Sequence, residues 1–214
     1  MSRRVLELAR TRLLALVVVT ALMASASAQS GQNEDWCFAD QEATQVEALA
    51  GCTALIDAGK LSKDKLATAY TNRCLVHTQR NESDLAIADC TQSIAIDPGN
   101  AFAYAQRGDA YCHNGDIDRC VADYDQAMRI APDDAAFPFL RGVARGDRGD
   151  ADGAIADFTK AIELDPEVSA AYTRRGRAYE AKGDSERAEA DYRRALKLDP
   201  EDATAQQHLQ ALGK

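Results

Sequence analysis

Cysteine and histidine are the residue types in this chain whose side chains could do the most chemistry. The 214 residues include six cysteines and three histidines. Thiol redox work favours a Cys-x-x-Cys pair, and no two of these cysteines have that spacing. Cys74 and His77 lie one helical turn apart with Cys90 further along, which resembles half a zinc site, but no fourth ligand is evident. No histidine is spaced from a partner as a nucleophile and base pair would be, so we expect no enzyme, cofactor or metal.

The first 28 residues differ in composition from the rest of the chain. Four arginines precede an apolar run from Leu13 to Met23, and small residues follow up to Ala28. This order is typical of a cleavable secretory signal peptide, here residues 1–28, and the run is shorter than the ~20 residues that span a bilayer. We therefore predict an exported protein in the periplasm, or alternatively outside the cell, with no membrane span after cleavage.

The charge of the chain excludes some classes of partner. The net charge is −9, and the predicted signal peptide holds four arginines and one acidic residue, so the rest is more acidic still. An acidic surface disfavours nucleic acid or anionic lipid as the main partner. An even number of cysteines behind a signal peptide also indicates disulfide bonds.

A pattern with a period of 34 residues dominates the rest of the chain. Four copies cover residues 67–100, 101–134, 135–168 and 169–202, each with a proline at position 32. Small residues at positions 8 and 20 let two helices approach closely, and aromatic residues at positions 4, 11 and 24 fill the space between units. In the second copy these landmarks are Tyr104, Gly108, Tyr111, Cys120, Tyr124, Ala127 and Pro132.

The landmarks closely resemble those of the tetratricopeptide repeat. The resemblance implies an all-α fold, a right-handed α-solenoid of four tandem helix-turn-helix repeats with capping helices at both ends. We place first helices near 63–79, 101–114, 135–148 and 169–182, and second helices near 84–96, 117–130, 151–164 and 185–198. Residues 29–66 then form an N-terminal segment with a capping half-repeat, and 203–214 a C-terminal capping helix. The N-terminal segment also resembles the cap of small exported bacterial tetratricopeptide proteins, which implies a bridge between Cys37 and Cys52.

The third copy departs from the pattern. Pro138 occupies position 4, Arg145 replaces the aromatic residue at position 11, and Gly142 and Gly146 lie one turn apart. Each interior glycine costs a helix about 1 kcal/mol relative to alanine, so this helix should be the softest of the array. It is either a hinge that adapts the groove to a ligand or a repeat whose sequence has diverged (a drifted repeat) and whose fold its neighbours maintain.

Six cysteines allow fifteen disulfide connectivities, and spacing alone does not choose among them. One arrangement fits the repeats well, because positions 8 and 24 face each other within a helical hairpin and a short bridge can also flank a hairpin turn. The favoured pairs are Cys74 with Cys90, Cys112 with Cys120, and Cys37 with Cys52.

The family resemblance also implies that one face of each first helix lines a concave groove. The candidate lining residues are Thr71, Leu75, Phe102, Asp109, His113, Phe139, Val143, Asp147, Arg177 and Lys182. Their character changes from neutral hydroxyls through an apolar centre with carboxylates to a basic end. This order suits an extended peptide with an apolar anchor and an acidic residue toward the basic end. Thr71 and Leu75 replace the lysine and asparagine that clamp a C-terminal carboxylate in some relatives, so we do not expect that binding mode.

We therefore predict an exported scaffold that binds a protein or peptide partner in the groove. Phe102 and Phe139 could instead merely pack against each other. The alternative function is a structural, self-associating envelope component that uses its end helices and has no peptide ligand.

Overall fold

The computed structural model describes residues 29–38 and 44–213, and all regular elements in these two ranges are α-helices. The helices are α1 29–38, α2 Gln45–Ala58, α3 Lys63–Gln79, α4 Ser83–Ile96, α5 Ala101–His113, α6 Ile117–Ile130, α7 Ala136–Asp147, α8 Ala151–Leu164, α9 Ser169–Ala181, α10 Ser185–Leu198 and α11 Ala203–Leu212. The eight helices from α3 to α10 begin and end within one residue of the bounds expected from the sequence. The predicted signal peptide lies outside the described residues.

Each repeat is a hairpin of two helices joined by a tight turn. Position 15 needs a left-handed backbone, which glycine adopts without a steric penalty. It is glycine in three repeats, with φ from 77° to 86°, and Asn81 with φ 58° in the first. Aspartate follows each glycine, and its carboxylate caps the second helix by accepting a backbone hydrogen bond. These N-caps are Asp116, Asp150 and Asp184.

Each second helix ends where a proline follows, because proline disfavours helical backbone in the residue before it. Asp97, before Pro98, is the C-cap of α4, and its Oδ1 accepts a hydrogen bond from the backbone N–H of Gly99 at 2.9 Å. Asp165 and Asp199 make the same turn. The next first helix then begins within a few residues, which folds each repeat back onto the one before it.

The helices stack in chain order. Each helix from α2 to α11 packs on the next, and first helices of neighbouring repeats also touch, as α3 with α5 and α7 with α9. This is an all-α helical-repeat solenoid, in which each unit buries its apolar faces against its neighbours. We call the side formed by α3, α5, α7 and α9 the first-helix layer.

A glycine beneath an aromatic ring lets the two helices of a hairpin approach closely. A Cβ atom built on Gly142 would lie 2.8 Å from the ring of Phe158, and one on Gly176 would lie 2.7 Å from that of Tyr192. The second hairpin has Gly108 beneath Tyr124 in the same way. These residues hold positions 8 and 24 of the repeat, so a larger side chain at position 8 would push the helices apart.

The same ion pair links the two helices of all four repeats. An arginine at position 7 donates from Nε and Nη2 to both carboxylate oxygens of an aspartate at position 23. The aspartate side chains are at most 9% exposed, so each pair is largely buried. The remaining nitrogen, Nη1, reaches the preceding unit, as from Arg107 to the hydroxyl of Thr91 at 3.2 Å. The pairs are Arg73–Asp89, Arg107–Asp123, Arg141–Asp157 and Arg175–Asp191.

The two ends of the array support the proposal of capping helices. Arg73 donates to the hydroxyl of Thr53 in α2 at 3.2 Å, just as Arg107 does to Thr91 in α4, so α2 holds the place of a preceding second helix. At the other end, α11 packs Leu209 and Leu212 onto the last repeat. Within the described ranges, no helix is both long and apolar enough to cross a membrane.

Candidate functional site

Nine of the ten candidate groove residues lie on the first-helix layer, and the tenth, Lys182, is the C-cap of α9. They do not all present a free surface. The layer divides along its length into a closed end at α3, a polar centre at α5, a cavity beside α7 and a basic end at α9.

Thr71 is buried at the closed end. Its side chain is 3% exposed, its hydroxyl lies 2.7 Å from that of Ser93, and it accepts a hydrogen bond from Asn100 at 3.1 Å. The expectation that Thr71 lines the groove surface is therefore wrong, because its hydroxyl is bonded to Ser93 of α4 and to Asn100, the N-cap of α5. At the same position of the fourth repeat, the Thr173 hydroxyl donates to the carboxylate of Asp202 at 2.5 Å. Leu75 is half-buried on the same helix.

The polar centre is built from Asp109, Tyr124 and His113. The Tyr124 hydroxyl donates to the Asp109 carboxylate, and Nδ1 of His113 lies 2.8 Å from the backbone oxygen of Asp109. Burial raises the pKa of the Asp109 carboxyl, while the bond from Tyr124 and the charge of His113 act in the other direction. Burial, with Asp109 beside it, raises the pKa of Tyr124. His113 itself is exposed.

The third repeat presents an apolar patch in the same layer. Phe139 and Val143 pack on Phe158, with the two phenyl rings 5.8 Å apart and tilted. Phe102, in contrast, remains 44% exposed on α5. Beside Val143 a cavity of about 180 Å³ opens between α7 and α9, and Asp147 and Arg177 reach its rim. The structure thus brings three candidate residues, Val143, Asp147 and Arg177, to one place.

The basic end contains a carboxylate that sequence reasoning missed. Lys182 lies at position 14 and pairs with Asp152, whereas the lining position 12 of the fourth repeat is Glu180. Glu180 accepts a hydrogen bond from the Tyr192 hydroxyl, and its carboxylate lies 2.6 Å from Nδ1 of His208. A strict count of repeat positions would have found Glu180.

The structure brings the six cysteines together in the three pairs that the sequence favours. The Cα atoms of the pairs are 4.7, 5.5 and 5.3 Å apart in chain order, which is compatible with disulfide bonds. Cys74 and Cys90 occupy the places of the glycine and the aromatic ring in the other hairpins. The described residues contain no group of three or more histidine, cysteine or acidic side chains positioned to hold a metal ion.

His77 is buried between helices, as its repeat position predicts. Its Nδ1 lies 2.6 Å from a carboxylate oxygen of Glu82, and its Nε2 lies 3.7 Å from Asp89. Glu82 therefore serves the histidine instead of capping α4, which has no side-chain cap. Because both nitrogens face carboxylates inside the hairpin, His77 contributes to packing and not to the surface.

Two family models described as tetratricopeptide repeat match residues 90–122 and 139–203. Together the two matches cover parts of all four repeats and include the cavity region. The chain is a tetratricopeptide-repeat protein. A search among curated proteins finds no match.

Solved structures with this fold include several tetratricopeptide proteins. The crystal structure of MamA superposes with a TM-score of 0.66 at 20% identity, over 74% of this chain and 91% of MamA. TTC0263 from Thermus thermophilus gives 0.62 at 17%, over 78% and 90%. The first tetratricopeptide domain of Spaghetti (RPAP3), solved with the HSP90 peptide SRMEEVD, gives 0.53 at 28%, over 55% and 93%. The likeness to MamA and TTC0263 shows the fold alone.

Proposed function

We propose that the chain is an exported scaffold that binds an extended peptide, or an extended segment of a partner protein, along its first-helix layer. The observation that carries this proposal is the apolar surface that α5 and α7 contribute to the layer. Phe102 is 44% exposed on α5, and a cavity lined partly by Val143 opens further along. An exposed aromatic side chain and an open apolar cavity are both typical anchor points of a binding surface.

The fold is one that proteins with bound peptides share. The domain of Spaghetti (RPAP3) holds an HSP90 peptide in its structure. Thr71 is buried in this chain and Leu75 is apolar, so recognition here would differ from a clamp on a C-terminal carboxylate. We therefore propose that the apolar surface of α5 and α7 and the basic end, not the closed end, select the partner.

Export to the periplasm is the second part of the proposal. Three cysteine pairs at bonding separation suit an oxidising compartment, and residues 1–28 have the pattern that is typical of a secretory signal. Sequencing the N-terminus of protein from a periplasmic fraction should give Gln29 as the first residue. Recovery of the intact N-terminus from the cytoplasm alone would contradict export.

Capture from an envelope extract tests the binding proposal. The natural protein and two variants, Phe102→Asp and Leu85→Asp, would be immobilised and compared. Leu85 is a matched control because it is 54% exposed but lies on the second helix α4, outside the first-helix layer. We expect the natural protein and Leu85→Asp to retain the same partner, and Phe102→Asp to lose at least tenfold of it. Equal capture by all three would place binding outside the layer.

Self-association through the ends is the alternative function, and one exposed residue favours it. Val46 on α2 is 68% exposed at the N-terminal end of the array. The opposite end disfavours it, because α11 exposes the polar side chains of Gln206, Gln207 and Gln210. Sedimentation over a range of protein concentrations separates the two functions. A peptide-binding scaffold should keep the same mass at all concentrations, whereas a self-associating protein should grow in mass with concentration, and Val46→Asp should reverse that growth.

A further inference from the structure

The third repeat is apolar at the place where two other repeats have a buried polar pair. In the second repeat the Tyr124 hydroxyl donates to Asp109, and in the fourth the Tyr192 hydroxyl donates to Glu180. The third repeat has Phe158 at the tyrosine position, which has no hydroxyl group. Its position 9 is Val143 and its position 12 is Gly146. The space that a larger side chain at position 12 would occupy is therefore empty.

This difference accounts for the cavity of about 180 Å³ between α7 and α9. Its floor is the ring of Phe158, and Val143 and Ala178 form part of its walls. Exposed residues of its lining, Gly146 among them, open it to solvent. Known apolar cavities of about 150 Å³ accept one benzene-sized group, whereas a drug-sized ligand needs at least about 300 Å³. The size therefore fits one apolar side chain.

Two arginines and one aspartate, Asp147, line the cavity, so its rim carries a net positive charge. Arg174 and Arg177 both line it. The neighbouring basic residues Arg175 and Lys182 are each paired with an aspartate, but neither Arg174 nor Arg177 forms an ion pair in the part of the chain that the structure describes. In an acidic protein, two cations without carboxylate partners beside an apolar cavity complement an anionic group on a ligand.

We propose that this cavity is the anchoring subsite of the scaffold and that it takes one apolar side chain of a partner peptide. A carboxylate one or two residues away in that peptide pairs with Arg174 and Arg177. The proposal rests on the proposed function and narrows it, because it assigns one place in the layer and one class of sequence to the partner.

Binding of hydrocinnamate is the first test, because this small molecule joins a phenyl ring to a carboxylate. It would be titrated into the isotope-labelled full chain, with the backbone amides followed by NMR. We expect saturable shifts at Gly142 and Gly146, and no shifts with propionate, which lacks the ring. The variant Gly146→Leu should abolish them by filling the cavity. Leu85→Asp, which changes an exposed residue on α4 outside the cavity lining, should retain the response.

Selection from a random-peptide display library is the second test. Peptides enriched on the natural protein should share an apolar residue followed closely by aspartate or glutamate. They should bind Gly146→Leu and the double variant Arg174→Gln, Arg177→Gln at least tenfold more weakly, and Leu85→Asp, outside the cavity lining, with little change. Both variants change exposed or rim positions, and equal helix content by circular dichroism checks their folding.

The outcomes separate this proposal from the broader one. If enriched peptides bind Gly146→Leu as well as the natural protein but lose affinity for Phe102→Asp, the layer binds peptides and the cavity proposal is overturned. If hydrocinnamate shifts no amide near α7 and no peptide is enriched, the cavity proposal is overturned and the scaffold function loses its support. Loss of binding in the cavity variants and in Phe102→Asp, with binding retained by Leu85→Asp, supports both.

Discussion

The first and third hairpins differ from the other two in how their interior is closed, and they differ in opposite ways. In the first, Cys74 and Cys90 replace the glycine and the aromatic ring, and both are fully buried at bonding separation. In the third, the glycine and ring remain as Gly142 and Phe158, but an open cavity lies above the ring. One hairpin has its interior closed by a covalent link, and the other leaves part of it open.

The comparison separates the framework of the repeat from its variable part. Both hairpins keep the buried Arg–Asp pair and a left-handed residue in the turn, Asn81 in one and Gly149 in the other. These shared features set the helix geometry. The differences that close or open the interior of the hairpin lie at positions 8, 9, 12 and 24. Stability and recognition can therefore change independently within the same backbone.

Removing the ring beneath the cavity should have the largest effect on stability. Phe158 is 2% exposed and contacts both α7 and α9 through its cluster. Phe158→Ala should cost about 4 kcal/mol of unfolding free energy, measured by urea denaturation. Leu85→Ala, at a site 54% exposed, should change it by less than about 0.5 kcal/mol. A cost below about 1 kcal/mol for Phe158→Ala would mean that the third hairpin is not packed around this ring.

Removal of the disulfide bond in the first hairpin should have the second-largest effect on stability. The double variant Cys74→Ser, Cys90→Ser opens a loop with a sequence separation of 16 and should lose about 3 kcal/mol. Cys112→Ser, Cys120→Ser, with a separation of 8, should lose about 2.5 kcal/mol. Both are measured by urea denaturation without reductant.

Hydrogen exchange with and without reductant checks where the cysteine effect lies. Reduction should weaken the protection of backbone amides in α1 to α6, because these helices contain all six cysteines. Protection in α9 and α10 should remain nearly unchanged. Uniform loss along the chain would show that the array unfolds as one unit. No loss at all would contradict the proposed disulfide bonds.

The helical hairpins could be predicted from the sequence because the period, the glycines and the prolines act locally. Gly115 allows the left-handed backbone of a turn, and Pro98 ends a helix, whatever the tertiary contacts around them. The Arg–Asp pairs were also visible as residues at positions 7 and 23 of every copy. Their geometry could not be read from spacing, because it depends on how the two helices pack.

The candidate site was only partly predictable for the same reason. Repeat positions predict which face of a helix a residue lies on, but not how deeply its side chain is buried. Thr71 was therefore expected on the surface, although its hydroxyl is hydrogen-bonded to Ser93 and Asn100. The cavity depends on what is missing, namely a side chain at Gly146 and a hydroxyl on Phe158. Such an absence produces space only when neighbouring repeats are in place.

The two glycines of α7 should respond to alanine in opposite directions. Gly146→Ala should raise the unfolding free energy by about 0.5–1 kcal/mol, since the added methyl group meets only Ala154 at 3.8 Å and helical backbone is favoured. Gly142→Ala should lower it, because its Cβ would lie 2.8 Å from the Phe158 ring. If Gly146→Ala also weakens peptide binding, α7 acts as a hinge; unchanged binding favours a drifted repeat.

The smallest effect concerns the pH dependence of the second hairpin, whose Asp109 and Tyr124 correspond to Val143 and Phe158. Burial raises the pKa of Asp109, so the native state holds its proton more tightly than the unfolded chain does. That contribution is complete below the ordinary aspartate pKa of about 3.9 and is lost as pH rises through the folded value. The unfolding free energy of the natural protein relative to Asp109→Asn should therefore fall from acidic toward neutral pH. Tyr124→Phe removes the opposing hydrogen bond and should steepen the fall, whereas a pH-independent difference would show that Asp109 is as well solvated as in the unfolded chain.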